Sequence, residues 1–351
     1  MDDVLVGAPR HGGNGFATGR SYVVFGKVDT MMDTRAASLG AGGFTIDGDV
    51  AGDQFGIAVG GAGDVNGDGT PDLVIGAYAA DSEGADSGTS YVVFGKADTA
   101  GVSVQRLGGV GFEMTGDAAG DYSGSVVRGA GDVDGDGFAD VIIGAYHSDP
   151  GSTNAGRAYV ILGRADPNSL WLGSLGIPGF AIDGEAAGDE AGRAVGGAGD
   201  LDGDGHDDVV VGARYADPNG DASGRAYVIY GSADPDEVDL ATLGAGGFVL
   251  DGEAVDDNAG VSVSGAGDVN GDGFEDLIVG AYGSDAIGMD AGRGYVIFGV
   301  PRADTCCSEH RVGGCTDAVV EACVVSLDAA CGGHWDAACV DLADNDCGAC
   351  G

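Results

Sequence analysis

The chain has 351 residues, of which 72 are glycine and 44% are apolar, and 57 acidic residues against 15 basic ones give a formal charge of −42. That apolar content excludes a disordered glycine-rich polymer, and glycine does not recur at every third position as a collagen helix demands. The charge excludes the basic face that nucleic acid requires and opposes docking on anionic lipid, while no apolar run is long enough to insert in a membrane.

In chain order, DVLVGAPR (3–10) reads as a strand, and the first ten residues hold neither the basic region nor the apolar core of a secretory signal. SYVVFGK (21–27) returns unchanged at 90–96, and GFTIDG (43–48) closes this first, partial unit, residues 1–48. From about residue 49 a unit of 68 residues repeats, starting again near 117, 185 and 253. Each unit predicts four strands, as in FGIAVGGAG, DLVIGAY, SYVVFGK and GFEMTG, with β-branched or aromatic residues bounded by Gly, Asp and Ser. The last unit stops after its third strand, GYVIFG (294–299). About 18 strands in five blade equivalents are expected, an all-β propeller over residues 1–303, since radial repetition of four-stranded sheets protects their edges. Because 303 residues cannot supply seven units of 68, the expectation is a portion of a longer propeller, with a five-bladed ring as the alternative.

Between the first and second strands of each unit lies an acidic turn, D-x-[DN]-x-D-G-x-x-D. Its copies supply Asp64, Asn66, Asp68 and Asp72; Asp132, Asp134, Asp136 and Asp140; Asp200, Asp202, Asp204 and Asp208; and Asp268, Asn270, Asp272 and Asp276. Side-chain oxygens at positions 1, 3, 5 and 9, with a backbone carbonyl at position 7 from Thr70, Phe138, His206 or Phe274, are the hard ligands that Ca²⁺ takes. About four Ca²⁺ sites are expected. The turn is not an EF-hand, because position 12 is Ile75, Ile143, Val211 or Val279 inside an apolar strand. One such turn is what solvated Asn-Gly and Asp-Gly sequences also produce; four in register argue for metal.

With Phe55-Gly56, Gly7-Ala8-Pro9 and the four acidic turns in view, the chain resembles the FG-GAP repeat family, the propeller repeat of integrin α heads and of secreted bacterial proteins. The name-giving pairs vary, FG becoming Ser123-Gly124, Ala191-Gly192 and Ala259-Gly260, and GAP becoming GAY or GAR. The resemblance implies metal turns on one face and ligand contacts on the other, at loops 79–88, 147–156, 215–224 and 283–292 and the turns near Asp53, Asp121, Asp189 and Asp257. These loops are acidic and differ between units, so the partner is expected to be neutral or basic, or bridged by Ca²⁺.

No histidine recurs at the repeat step, and neither G-x-S-x-G nor H-E-x-x-H is present, so no enzyme is expected. The function expected is an extracellular, calcium-binding adhesion module for a protein or polysaccharide ligand, secreted or on the cell surface. The alternative is an accessory propeller of a larger secreted enzyme. Residues 304–351 form a separate module holding all eight cysteines: Cys306, Cys307, Cys315, Cys323, Cys331, Cys339, Cys347 and Cys350. Disulfides, and hence an oxidising compartment, are favoured over zinc because Cys347-x-x-Cys350 has no second C-x-x-C. Cys306-Cys307 and Trp335-Asp336-Ala337-Ala338-Cys339-Val340 resemble the Cys-rich C-terminal modules of secreted bacterial repeat proteins.

Overall fold

A computed structural model describes residues 3–12, 15–26, 39–165, 168–174 and 178–300. Five antiparallel sheets follow the repeat. The first is built from β1 (Val4–Ala8), β2 (Arg20–Val24) and β3 (Gly43–Asp47). The second uses β4 (Ala58–Gly63), β5 (Asp72–Ala77) and β6 (Thr89–Val93), then a two-residue β7 (Val102–Ser103), then β8 (Gly111–Thr115). In the third, β9 (Val126–Gly131), β10 (Asp140–Ala145) and β11 (Arg157–Ile161) precede the short β12 (Leu170–Trp171) and β13 (Gly179–Asp183). The fourth repeats this with β14 (Ala194–Gly199), β15 (Asp208–Ala213), β16 (Arg225–Ile229), the short β17 (Val238–Asp239) and β18 (Gly247–Asp251). The fifth holds β19 (Ala259–Gly267), β20 (Asp276–Ala281) and β21 (Arg293–Ile297). This is the all-β propeller architecture of four-stranded blades. Among the described residues no helix is long and apolar enough to cross a membrane.

The eighteen longer strands fall where the repeat puts them; β7, β12 and β17 were not foreseen. Each short strand leaves its own blade and pairs in parallel with the outer strand of the blade before. Val102 meets Ile46 on β3, Leu170 meets Met114 on β8, and Val238 meets Ile182 on β13. They act as straps over sheet edges that would otherwise present free amides and carbonyls.

Strand alternation sends successive residues of a blade toward its two neighbours. Ile75, Tyr91 and Val93 of the second blade pack on Val23, Phe44 and Ile46 of the first. On the other face, Val74, Val92, Phe112 and Met114 pack on Val141, Ile143, Tyr159 and Ile161 of the third. The next two interfaces repeat this arrangement, with Ile142 and Val160 against Val209, Val211 and Tyr227, and Val210 and Val228 against Leu277 and Val279. The core is thus a series of inter-blade layers, each side chain contributing about 1.5–3 kcal/mol on burial. Arginines beside the tyrosines of strand three tie the layers at their rim. Arg225 pairs with Asp251 of its own blade at 2.5 Å and with Glu185 of the preceding one at 2.6 Å.

Close approach of backbones sets the spacing. The strand-two glycines Gly76, Gly144 and Gly212 face the carbonyl oxygens of Gly124, Gly192 and Gly260 in the next blade, in the place a Cβ would occupy. Those partner glycines themselves have φ of 80°, 84° and 82°, a region that side chains disfavour. Gly144→Ala is expected to cost more than about 2 kcal/mol, because backbone rather than a flexible side chain obstructs it. Chemical denaturation compared with an exposed control such as Gly151→Ala, which like Gly144 has no positive φ but has open space, measures the difference.

Candidate functional site

Each acidic turn joins the first two strands of a blade. The position-1 carboxylate accepts the amide of the position-6 glycine, from Gly69, Gly137, Gly205 and Gly273, at 2.7–3.0 Å. Position 3 accepts the amide of position 5 at 2.8–3.1 Å, and position 5 accepts that of position 7 at 2.8–3.0 Å. These bonds turn the three side chains inward. In two turns they bring carboxylate oxygens of Asp132, Asp134 and Asp136, and of Asp200, Asp202 and Asp204, within 4.8 Å of one another. Asn66 and Asn270 hold the third position in the other two, their amide nitrogens donating to Asp68 and Asp272. One oxygen, Asp132 Oδ1, is buried without a hydrogen-bond partner. A buried, unpaired carboxylate oxygen beside two more carboxylates is costly, and a divalent cation would relieve that cost, so the donor set fits a hard cation.

The ninth residue does something the sequence did not suggest. Asp72, Asp140, Asp208 and Asp276 are buried, and each takes two backbone amides. One oxygen of Asp140 accepts from Val133 within the turn and the other from Gly163 after strand three, both at 2.7 Å. The other three copies make the same pair of bonds at 2.8–3.0 Å. Burial raises the Asp140 carboxyl to about 7 and Asp72 to about 6, against the lowering effect of those amides. These aspartates lie outside the two close carboxylate triads and pin the turn to the end of the third strand.

Neighbouring turns also hold one another. The Asp64 carbonyl accepts the amide of Ala139 in the next blade at 3.0 Å, and that of Asp132 accepts from Asp207 at 2.9 Å. The position-7 side chains reach back over the preceding turn: Phe138 covers Gly67, His206 covers Gly135 and Phe274 covers Gly203. The backbone amides of Thr70, Phe138, His206 and Phe274 all donate to the position-5 carboxylate of their own turn.

At the opposite ends of the strands the repeat is broken. The residue after strand two is Tyr78, Tyr146, Arg214 or Tyr282, and the left-handed residue before strand one is Gln54, Tyr122, Glu190 or Asn258. Gln54 donates to the Tyr78 hydroxyl at 3.0 Å; Tyr78 meets Tyr122 edge-on, and Tyr122 stacks on Tyr146 at 5.7 Å between centroids. His147 packs on both of these rings, and the Arg193 guanidinium lies 4.4 Å above Tyr146. Glu190 is shared by His147, Arg193 and Arg214 at 3.5–3.8 Å, and Arg214 lies over Tyr215. This half-buried row of rings and guanidinium groups was not singled out from the sequence. Its signal is non-repetition at two positions that directly follow strictly repeated ones, Asp53, Asp121, Asp189 and Asp257 before the first and Ala77, Ala145, Ala213 and Ala281 before the second. The acidic residues marking the same face play a different part. Asp53, Asp121, Asp189 and Asp257 are buried, whereas Asp81, Asp149, Asp217 and Asp285 cap their loops by accepting an amide five residues on at 2.6–2.8 Å. All eight cysteines lie outside the described residues.

A radially repeated sheet with an acidic turn between its first two strands defines a class of repeat propeller. The FG-GAP repeat matches at 55–93, 123–161, 191–229 and 259–297, the first three strands of blades two to five. The chain belongs to the FG-GAP repeat, integrin α-like family. It is 33% identical to integrin alpha-PS2 of Drosophila melanogaster over 187 residues, 50% of this chain and 12% of that protein. It is also 33% identical to human integrin alpha-IIb over 164 residues (45% and 14%) and to integrin alpha pat-2 of Caenorhabditis elegans over 177 residues (47% and 14%). The chain therefore matches only about one eighth of the length of these relatives.

The two acidic roles separate by experiment. Asp140→Asn sets an amide nitrogen against a backbone N–H and is expected to cost about 1–3 kcal/mol with or without chelator. Asp136→Asn is expected to change stability only when metal is present. Thermal denaturation of both variants in calcium and in chelator measures this.

Proposed function

We propose that the chain is an extracellular binding propeller whose four acidic turns each hold one Ca²⁺ and whose opposite face takes an extracellular protein or polysaccharide ligand. The calcium reading is carried by the inward-turned oxygens at positions 1, 3 and 5, with the orphaned Asp132 Oδ1 as its sharpest feature. Asp64, Asn66, Asp68 and their counterparts would hold the ion, which would neutralise like charges already held together by the turn. Kinship with integrin α subunits supports an adhesion-type role outside the cell, in keeping with the cysteine-rich tail and with the absence of repeated catalytic residues. Extracellular calcium modules bind with dissociation constants of roughly 0.1–1 mM. At tenfold excess each site would stabilise the fold by about 1.4 kcal/mol. Isothermal titration is expected to give four sites, with a melting point that falls in chelator; no calcium uptake would overturn the assignment.

For the ligand, the carrying observation is that the face opposite the turns is where the blades differ. Tyr78, Tyr122 and Tyr146 offer flat rings, and Arg193 and Arg214 offer donors beside them, the residue types that dominate binding energy at interfaces. Four equal turns suit support; an unequal surface suits selection. Tyr122→Ala and Arg193→Ala are each expected to weaken ligand binding about 30-fold, the equivalent of about 2 kcal/mol. Binding to extracellular protein and glycan arrays, with melting point as the folding control, reads this out. Binding that survives both changes but disappears with Asp68→Ala in a folded protein would move the ligand to the acidic turns.

A further inference from the structure

Two arginines that serve the fold of this propeller have their donors taken. Arg157 and Arg225 lie over the rings of Tyr159 and Tyr227, and carboxylates fill the plane of each guanidinium. Asp183 accepts from Arg157 at 2.5 and 3.0 Å, and Asp251 and Glu185 accept from Arg225 at 2.5 and 2.6 Å. On the face opposite the acidic turns, Arg193 and Arg214 begin in the same way, stacked 4.4 and 4.3 Å above Tyr146 and Tyr215. Their in-plane donors end differently. The carboxylate they share, Glu190, is 3.7 Å from Arg193, 3.8 Å from Arg214 and 3.5 Å from the His147 imidazole.

A charge-assisted N–H to carboxylate bond is about 2.7–2.9 Å long, so these three groups surround Glu190 at ion-pair distance without bonding to it. One Glu190 oxygen and the Arg214 Nε are buried with no hydrogen-bond partner. Buried ions held so loosely cost stability, and the repeat does not demand them. The counterparts of Glu190 at the same backbone position are Gln54, Tyr122 and Asn258, and those of Arg214 are Tyr78, Tyr146 and Tyr282. Two guanidinium groups against one carboxylate also leave local positive charge on a face whose adjoining loops carry Asp149, Asp217 and Asp221. The cluster is open to a ligand, since the Arg193 side chain is 36% exposed and Tyr215 is 38% exposed.

We propose that Arg193 and Arg214 form a subsite for one carboxylate of a protein ligand, an aspartate or glutamate side chain that enters beside Glu190 and takes the open donors of both guanidinium groups. This subsite rests on the reading that the ligand meets this face, and it names the group presented there. The planar fork of a guanidinium matches the two oxygens of a carboxylate, and the tyrosine beneath fixes its plane without using a donor. Glu190 screens two like charges from each other, and a second carboxylate would balance them and supply the missing acceptor. The surroundings favour a protein segment over an acidic polysaccharide. Asp149, Asp217 and Asp221 repel a polymer that carries a carboxylate at every repeat, whereas a segment with one acid among neutral residues brings its charge to the subsite alone.

The probes are two short capped peptides of glycine and serine, one with a central glutamate and one with glutamine, titrated into the full chain and followed by NMR of the peptide and of the His147 ring. The glutamate peptide is expected to bind about tenfold more tightly, and Arg193→Gln or Arg214→Gln is expected to remove that preference. Glu190→Gln gives blade four the residue that blade two carries as Gln54, and it is expected to tighten the glutamate peptide about threefold by removing a competing charge. A purely structural Glu190 would give no such gain. Equal binding of both peptides that Tyr122→Ala still weakens would overturn the carboxylate subsite and leave the ligand face standing. A glutamate preference that survives both arginine changes, at an unchanged melting point, would overturn the subsite and move the contact elsewhere. No binding of the glutamate peptide to the unaltered protein would also overturn it, and tighter binding of polyglucuronate per carboxylate would overturn the assignment to a protein ligand.

Discussion

A buried carboxylate is an unlikely residue to build a sheet on, yet each full acidic turn of this propeller depends on one. Asp72, Asp140, Asp208 and Asp276 begin an apolar strand and are almost wholly removed from water. Such a group is tolerated only when its oxygens are satisfied, and here each oxygen takes a backbone amide. The two amides come from different places, one inside the turn and one beyond strand three. A single side chain thereby joins the start of strand two to both of its flanking connections. The turn's shape is set by this bond and by the amide-to-carboxylate bonds of positions 1, 3 and 5. A cation entering such a turn would meet a site already formed.

From this pinned turn the order spreads between blades. The carbonyl at position 1 accepts from the following blade, and the ring at position 7 folds back over the preceding turn, so the turns form a continuous belt. Farther along the strands the belt gives way to direct contact of glycine with a carbonyl oxygen, and then to layers of Val, Ile and Tyr. The straps finish the outside. Each level couples nearest neighbours only, which is how a repeat array accumulates stability from repeated interface contributions.

Much of this was legible because the step of 68 residues is strict. Strand positions, the acidic turns and the glycine pairs all follow from it. The straps were hidden because two residues make no periodic pattern: Leu170-Trp171 and Val238-Asp239 share little but their place. The ninth aspartate is expected as a metal ligand from its spacing, and spacing alone does not show that each of its oxygens also accepts a backbone amide. Nor does the charge of −42 show what its carboxylates do. Many accept backbone amides in turns where glycine and left-handed residues expose them, as Asp81 does for Asp86 and Asp217 for Ala222. In a chain this rich in tight turns, aspartate serves as a turn cap.

What the repeat leaves out is informative in its own right. Duplication places four copies of any side chain around the molecule, so a position that serves the fold is free to remain the same in each blade. A ligand without that symmetry meets the four copies unequally, and selection on contact drives them apart. Gln54, Tyr122, Glu190 and Asn258 occupy one backbone position with the same left-handed conformation, yet differ in size, charge and aromaticity. The strain of holding a side chain there is common to all four, so the backbone cannot be what distinguishes them. The differences lie in what each reaches: a tyrosine hydroxyl for Gln54, stacked rings for Tyr122, and two guanidinium groups and an imidazole for Glu190. In a strongly acidic molecule, a site that gathers two arginines around a single carboxylate, beside a row of tyrosines, is set apart by its chemistry as well as by its sequence.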